Sequence, residues 1–487
     1  MSAALTDARF ALPTPVRTAA VIGGLSGWAE PLAAAGIEVS ASLDGGPAPD
    51  LVVAPGRLAR AAVTSGAAGV IVHGADASAV ASAEGMTGHR LLALPRLHEP
   101  VAFLALGNPD LARYALQEML VPTRRWKEVR NRALLPVLSR GLVPSRTQVT
   151  VASHRRGDPF LVAAARQLGI PEQATWLLSP GQGDVLARGA FHLFPEGSDH
   201  PSHVLKFSRI PGRSQPFDRD EHGLAVAEAG GPTVAPHAPR LLGRFEEAGM
   251  HASVETAARG RQMVGFLVSD RPAADRLAAV EEIADWLVRV AIETAAEPSA
   301  LAPELERLAG HVVPSWKHEG ASPALLEGLE NVPAVLQHND LGSWNLVITP
   351  GGFTAVDWES ARLHGLPLWD LWYFMADVLG HLDGVTGPEQ RERHFLRLFR
   401  GELPASRVLF EWTHTAAEAS RVPPEAIGRI ATLCWLHHGL SPLNRLSDLH
   451  SYQPGAIPPY WLKLTRRIAV SWLRDPALGP EWPALPR

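Results

Sequence analysis

Cysteine is almost missing from these 487 residues: Cys434, inside the apolar stretch IATLCWLHHGL, stands alone. A single thiol excludes an internal disulfide and a thiolate metal cluster, so Cys434 reads as a small buried hydrophobe. Neither sign of charge dominates. Lys+Arg number 45 and Asp+Glu 50, a formal charge of −5, which argues against nucleic acid or a membrane surface as the main partner. No apolar run reaches the ~18–20 residues that a bilayer-spanning helix needs. The opening MSAALTDARFALPTPVRTAAVIGG places Asp7 and Pro13 where a signal peptide requires an unbroken apolar stretch. Internal repeats and low-complexity tails are absent too. A soluble protein of a reducing cytoplasm is expected. What is present, 46 % apolar and 20 % charged residues, is globular, and the length implies two or three domains.

Residues 18–105 alternate short apolar runs (TAAVIGG, IEVSAS, DLVVAPG, AGVIVHG, HRLLALPRL) with helix-like segments such as WAEPLAAAG. The runs do not alternate with polar residues, as suits buried parallel strands, so residues 1–150 read as a Rossmann-like open α/β sheet. GGLSG after the first run does not have the G-x-G-x-x-G spacing of a dinucleotide fingerprint. This domain therefore reads as structural or partner-binding, with a protein partner or self-association as the expectation. Residues 108–170 look helical. The basic run at Arg124, Arg125, Lys127, Arg130 and Arg132 reads as a solvated helix face.

From 174 the pattern becomes an antiparallel meander of three strands with Gly/Pro turns, then a helix (DEHGLAVAEAG) and two more strands (RLLGRFEEAG, HASVETA). The helical RPAADRLAAVEEIADWLVRVAIETA carries an apolar stripe of Leu277, Val280, Ile283, Ala284, Leu287 and Val290. The last hundred or so residues are helical and Trp-rich, with Trp412, Trp435, Trp461 and Trp472 reading as core.

The densest chemistry lies in QHNDLGSWNLVITPGGFTAVDWE, residues 337–359. Its polar skeleton is H-x-D-x-x-x-x-N, a strand, a PGG turn and a second strand ending at Asp357. A hairpin brings its ends together, so Asp340, Asn345 and Asp357 can converge. Mg²⁺ takes one or two carboxylates plus substrate phosphates. Asn345 and Asp357 supply such oxygens, and Asp340 is left to accept a proton from an attacking hydroxyl, the division of labour of phosphoryl transfer. That chemistry also needs a strand lysine and a helix acid upstream. Lys206 lies mid-strand in HVLKFSR, and Glu221 follows at the start of the next helix, with Glu228 as the competitor. His338 reads as a structural support of the loop, Asp370 as a cap on loop N–H groups, and Glu359 as a metal contact or an ion pair with Arg362. His437 and His438, in an apolar helix, suit a core or a substrate pocket equally.

HNDLGSWN, together with AVDWESARLHGLPLWDLWYF through Gly365, Pro367, Asp370 and Leu371, resembles the aminoglycoside phosphotransferase/choline kinase family of small-molecule kinases. The resemblance covers about residues 160–480. It implies a bilobal α+β protein-kinase-like fold, with an N-lobe over 160–258 and a mostly helical C-lobe over 259–487. It also implies ATP and Mg²⁺ as cofactors and a small-molecule hydroxyl acceptor. The backbone near Val254, Thr256 and Ala257 would hold the adenine edge. Gly181 and Gly183 in SPGQGD would approach the phosphates, with Ser179 as a donor. Residues 401–487 hold seven Asp/Glu against nine Lys/Arg, a net of +2. That balance argues against a polycationic acceptor and for a neutral or anionic hydroxyl compound such as a sugar, cyclitol or glycoside. The alternative is a non-catalytic, nucleotide-binding regulatory module, but degenerate kinases lose the base, the metal ligands or the lysine, and this chain keeps all of them.

Overall fold

The N-terminal apolar runs form strands in the computed structural model, which describes residues 3–43, 47–122, 125–181, 186–452 and 460–482. The chain divides into two units: residues 1–218 with 240–259, and residues 219–239 with 260–487.

The first unit is built on one sheet of twelve strands. These are β1 (Thr18–Val21), β2 (Glu38–Ser40), β3 (Leu51–Pro55), β4 (Gly69–His73), β5 (Thr87–Leu94), β6 (Ala102–Ala105), β7 (Gln148–Ser153), β8 (Thr175–Ser179), β9 (Gly189–Phe194), β10 (His203–Phe207), β11 (Leu241–Glu247) and β12 (Met250–Thr256). Their spatial order is β11-β12-β10-β9-β8-β6-β5-β7-β4-β3-β1-β2. At one end β2, β1, β3 and β4 run parallel, as their unalternating runs predict. Every other pairing in this sheet is antiparallel.

Two expectations are corrected. The run HRLLALPRL becomes β5, which is antiparallel to β6 and β7. Leu91 and Ala93 enter one core cluster while Leu92 and Leu94 enter another. A strand buried on both faces loses its alternation whatever its direction. The stretch 108–170, read as helical, contains β7, which inserts between β4 and β5.

Strands β8 to β10 form the expected meander. β11 and β12 are joined by Ala248 (φ 51°) and Gly249 (φ 80°), a turn whose two left-handed residues match the twist of a hairpin. Strands from residues 1–150 and from 160–258 thus share one sheet. The joint is β6 against β8, through Phe103↔Leu178 and Leu104↔Leu177. One apolar cluster runs along the sheet from Leu5 and Phe10 through Leu91 and Leu178 to Phe207 and Val254.

The second unit is mainly helical. Helix Ala273–Glu293 buries Val280, Ile283, Ala284, Leu287 and Val290 as its stripe predicts, but Leu277 is 40 % exposed because it lies in the first turns, ahead of the packed segment. Two small sheets carry the motif: β13 (Arg261–Gln262), β15 (Leu346–Thr349) and β16 (Gly352–Ala355) in one, and β14 (Val335–Gln337) with β17 (Arg362–Gly365) in the other. Behind them pack the helices Trp369–Leu382, Pro388–Phe399, Pro404–Ala419, Pro424–Tyr452 and Tyr460–Arg474. Trp372, Trp472, Trp482 and Phe399 meet edge to face or tilted at 5.3–5.6 Å, so much of the tryptophan is core. Cys434 is buried. Among the described residues, no helix is long and apolar enough to cross a membrane.

Candidate active site

The motif loop begins where β14 ends. The backbone N–H groups of His338 and Asn339 both donate to Asp370, at 2.6 and 2.7 Å. Asn339 holds a left-handed φ of 67°, which turns the chain sharply and points two successive N–H groups at one carboxylate. Asp370 is the second residue of helix Trp369–Leu382. Burial pushes its carboxyl up to about 6, against the pull of those two bonds. The expected capping role of Asp370 is what the geometry shows. His338 bonds the Val356 carbonyl through Nε2 at 3.0 Å and lies on Trp358, ring centroids 4.6 Å apart. Burial holds its ring down to about 4, so it is neutral and structural at pH 7.

Two residues on, Asp340 receives the side-chain amide of Asn345: Nδ2 lies 3.1 Å from the carboxylate and 2.9 Å from the Asp340 carbonyl. With the amide nitrogen so committed, the amide oxygen faces away from Asp340. The Val356 N–H donates to the Asn345 carbonyl at 2.8 Å, closing the hairpin base and setting Asp357 beside the loop. Asp357 itself is left-handed, φ 66°. Burial first, then the charges of Asp357 and Glu359, push the Asp340 carboxyl up to about 7, while bonds from Tyr373 and Asn345 pull it down. The Asp340 charge and burial raise the Tyr373 phenol well above its ordinary range, so it stays a donor. Behind the loop, Asp377 accepts from the Ser343 N–H at 2.8 Å and from its hydroxyl, and pairs with His381 at 3.4 Å. Burial would raise the Asp377 carboxyl, but these bonds hold it below its usual range.

Asp357 does not stand alone. Carboxylate oxygens of Asp220, Asp357 and Glu359 lie within 4.8 Å of one another. Asp220 comes from helix Gln215–Ala229, and the close approach depends on Gly223, three residues on: a Cβ there would fall 1.8 Å from the Trp358 carbonyl oxygen. Three acids this close repel unless a cation or a proton sits among them, and an all-oxygen set suits a hard divalent ion. Glu359 also lies 4.0 Å from Arg219, whereas Arg362 pairs with Glu304 instead of Glu359.

A cavity of about 470 Å³ is lined by Asp340, Asn345 and Asp357 and by side chains of the C-terminal helices, among them Tyr373, Trp435 and His438. Of the two undecided histidines, His438 lines this cavity and stacks on Tyr373 at 4.3 Å, while His437 bonds Asn339 at 3.2 Å and stacks on Trp369 at 5.2 Å.

The remaining sequence-predicted residues lie mainly in the first unit. Lys206 Nζ is 3.1 Å from Glu255. Lys206 sits opposite Ser253, so Glu255 is its diagonal neighbour on the same face of β12. Glu255 is a partner that sequence reasoning missed. Glu221 belongs to the other unit, one residue beyond Asp220. Val254 is buried mid-strand between Leu205 and Gly243, and Thr256 ends β12, its N–H bonded to the Arg240 carbonyl at 3.0 Å. The Gly181 N–H donates to Asp7 at 3.1 Å, and a Cβ at Gly181 would fall 2.4 Å from the Ala187 carbonyl oxygen. Gly183 lies outside the described residues. Asp7 in turn takes the guanidinium of Arg209 at 2.8 Å and that of Arg9 at 3.4 Å.

A search of curated proteins gives no match. Among solved structures, the chain is similar to an aminoglycoside-3'-phosphotransferase of type VIII, at 17 % identity over 53 % of this chain and 98 % of that one, with a TM-score of 0.31. It is also similar to a choline kinase from Cryptosporidium parvum Iowa II, at 12 % identity over 63 % of this chain and 92 % of that one, with a TM-score of 0.29. The matched family model spans Lys206, the HNDLGSWN loop, Asp357 and Asp370. The resemblance carried by those motifs is therefore borne out: residues 197–409 match the phosphotransferase enzyme family, APH.

Proposed function

We propose that the protein is an ATP- and Mg²⁺-dependent O-phosphotransferase acting on the hydroxyl of a small molecule: a sugar, cyclitol, glycoside or aminoglycoside-like acceptor. One observation carries the reading. Asp340, held by Asn345 and Tyr373 beside Asp357, lines a cavity large enough for such a molecule, with its carboxyl near 7. A base poised near the working pH accepts a proton and gives it up again in turnover.

In this reading Asp340 takes the proton of the attacking hydroxyl, and Tyr373 and Asn345 keep its carboxylate aimed. Asp370 and His338 fix the loop backbone on which Asp340 rides. Lys206, paired with Glu255 and in the family's pattern with Glu221, binds the α/β-phosphates. Asn345 and Asp357 hold Mg²⁺, with Glu359 and Asp220 adding acid to the same cluster. When bound there, the ion would supply positive charge to offset the negative charge that develops in transfer. Gly181 and Gly183 bracket the loop assigned to the phosphates. By the family's pattern the adenine edge is assigned to the backbone near Val254–Ala257. Residues 160–258 and 259–487 would be the two lobes, and 1–150 a module for a protein partner or self-association, in the cytoplasm.

The test is ³¹P-detected transfer from Mg-ATP to a panel of sugars, cyclitols, amino alcohols and aminoglycosides. Wild type and Asp340→Asn are run side by side, with a thermal-shift titration of Mg-ATP on both. Transfer by wild type that is lost in Asp340→Asn, with the Mg-ATP shift kept, is the expected result. Wild-type rates in Asp340→Asn would remove the base assignment, and no Mg-ATP shift in either protein would remove the kinase reading.

A further inference from the structure

The cavity beside Asp340 has an uneven charge inventory. Asp377 is engaged by Ser343 and His381, and Asp340 by Asn345 and Tyr373. His394, also in the lining, bonds Asp383 at 2.8 Å, and burial drives His438 down to about 3, so it is neutral. Arg391, on helix Pro388–Phe399, lines the same cavity, and among the described residues its guanidinium makes no hydrogen bond or ion pair. Its helix neighbour Glu392 is taken by Arg467 at 2.8 Å.

The rest of the wall, Thr465 apart, is mainly apolar or aromatic, with Phe395, Trp435, Leu464 and Ile468 beside Tyr373. Besides His381 Nε2, which faces Asp377 at 3.4 Å, two buried polar atoms of the lining have no hydrogen-bond partner: Trp435 Nε1 and His438 Nε2. Buried polar atoms are paired in finished structures, so orphans in a cavity wall mark places where a ligand's own polar groups belong. The lining therefore offers one guanidinium, two ring nitrogens and aromatic faces, and no carboxylate beyond those of the proposed machinery and the engaged Asp377.

We propose that the acceptor is an anionic polyol, a hydroxylated compound bearing a carboxylate or phosphate group that Arg391 binds while Trp435 and His438 bond its hydroxyls. This rests on the kinase reading and narrows it. Arg suits this role because its planar fork matches carboxylate and phosphate oxygens pairwise. A polycation would find no free acid to bind and would meet Arg391. In the step, the acceptor oxygen forms a bond to the γ-phosphorus. The bond from that phosphorus to the β–γ bridging oxygen breaks, its electron pair leaves with ADP, and the hydroxyl proton passes to Asp340.

The experiment uses matched hexose probes: glucuronate and glucose 6-phosphate as anions, glucose as the neutral form and glucosamine as the cation. Calorimetric binding of each to the full chain is compared for wild type, Arg391→Gln and Arg391→Lys, with circular dichroism melts as the folding control. Wild type should bind at least one anion tenfold or more tightly than glucose or glucosamine. Arg391→Gln should erase that preference at an unchanged melt, and Arg391→Lys should restore part of it. Whichever anion binds identifies carboxylate or phosphate as the group read. No binding of either anion, equal binding by Arg391→Gln, or a preference for glucosamine would overturn the proposal. Mg-ATP thermal shift on the same samples separates the two ideas: its absence removes the kinase reading while leaving the anion result to stand or fall by itself.

Discussion

Replacing Asp7 with Ala removes a carboxylate that no water reaches. Asp7 is 0 % exposed and sits between Arg9 and Arg209, themselves 4 % and 5 % exposed. Burial already holds the Arg9 guanidinium down to about 10, Asp7 pulls it back up, and Arg209 opposes that. Without Asp7, two like charges share an interior with their common counter-charge gone, and the Gly181 N–H loses its acceptor. Breaking a buried ion pair from one side costs about 3–5 kcal/mol. In a unit of this length, residues 1–218 with 240–259, each kcal/mol moves Tm by roughly 2–4 °C. The transition that unfolds the sheet should therefore fall by about 6–20 °C. Calorimetry of Asp7→Ala measures it, with hydrogen exchange over residues 175–181 as the local readout. A triple variant, Asp7→Leu/Arg9→Met/Arg209→Met, should recover most of the loss, because an apolar replacement of similar volume avoids the desolvation cost that the charges carry. A Tm for Asp7→Ala within about 2 °C of wild type would refute the argument, since that is less than one kcal/mol at this size.

If Asp340 is the base as proposed, activity should rise as pH increases and level off above about 7, because the carboxyl at about 7 has to be ionised to take the proton; a profile of kcat/KM already flat from pH 5 would reject this. The same raised value makes ionised Asp340 a stability cost that is absent below the unfolded value of 3.8 and fully present above about 7. Asp340→Asn should therefore melt higher than wild type at pH 8, by a margin that shrinks toward pH 4, while losing transfer. Gly223→Ala, with its Cβ 1.8 Å from the Trp358 oxygen, must push helix Gln215–Ala229 off that carbonyl and carry Asp220 away from Asp357. Its Tm and its Mg²⁺-dependent rate should fall together, and wild-type values of both would contradict the packing argument. Asp370→Asn leaves the His338 and Asn339 N–H groups one neutral acceptor oxygen in place of two charged ones. The cost should be about 1–3 kcal/mol, with kcat reduced more than Mg-ATP binding; a rate equal to wild type would show that the cap does not position Asp340.

The motif residues were legible because their spacing is local: Asp340, Asn345 and Asp357 are joined by one hairpin, and the short PGG turn fixes how its ends meet. Asp370 was legible for the same reason, one segment further on. Glu255 was not, since its position beside Lys206 depends on the register of two strands 49 residues apart, which no periodicity records. Asp220 was overshadowed by Glu221, its neighbour on the same helix; only the packing at Gly223 shows which acid reaches Asp357. No spacing singled out Tyr373 or Arg391, and the cavity they line appears only once four helices are assembled. In the N-terminal portion the parallel strands were legible from their runs. β5 and β7 were not, because doubly covered strands carry no directional signature and QVTVAS lies between helical stretches.

The joint between β6 and β8 has a practical consequence. A recombinant chain beginning near residue 160, the boundary that the motifs suggest, would leave β8 as a bare edge strand. Along Thr175–Ser179 that edge offers TWLLS, with Trp176, Leu177 and Leu178 stripped of their cover and no charged residue to deter a second strand. Edges of that kind recruit other chains. The isolated catalytic portion should therefore self-associate or precipitate when expressed alone, and a soluble fragment would have to keep β6 or carry a charged substitution on β8.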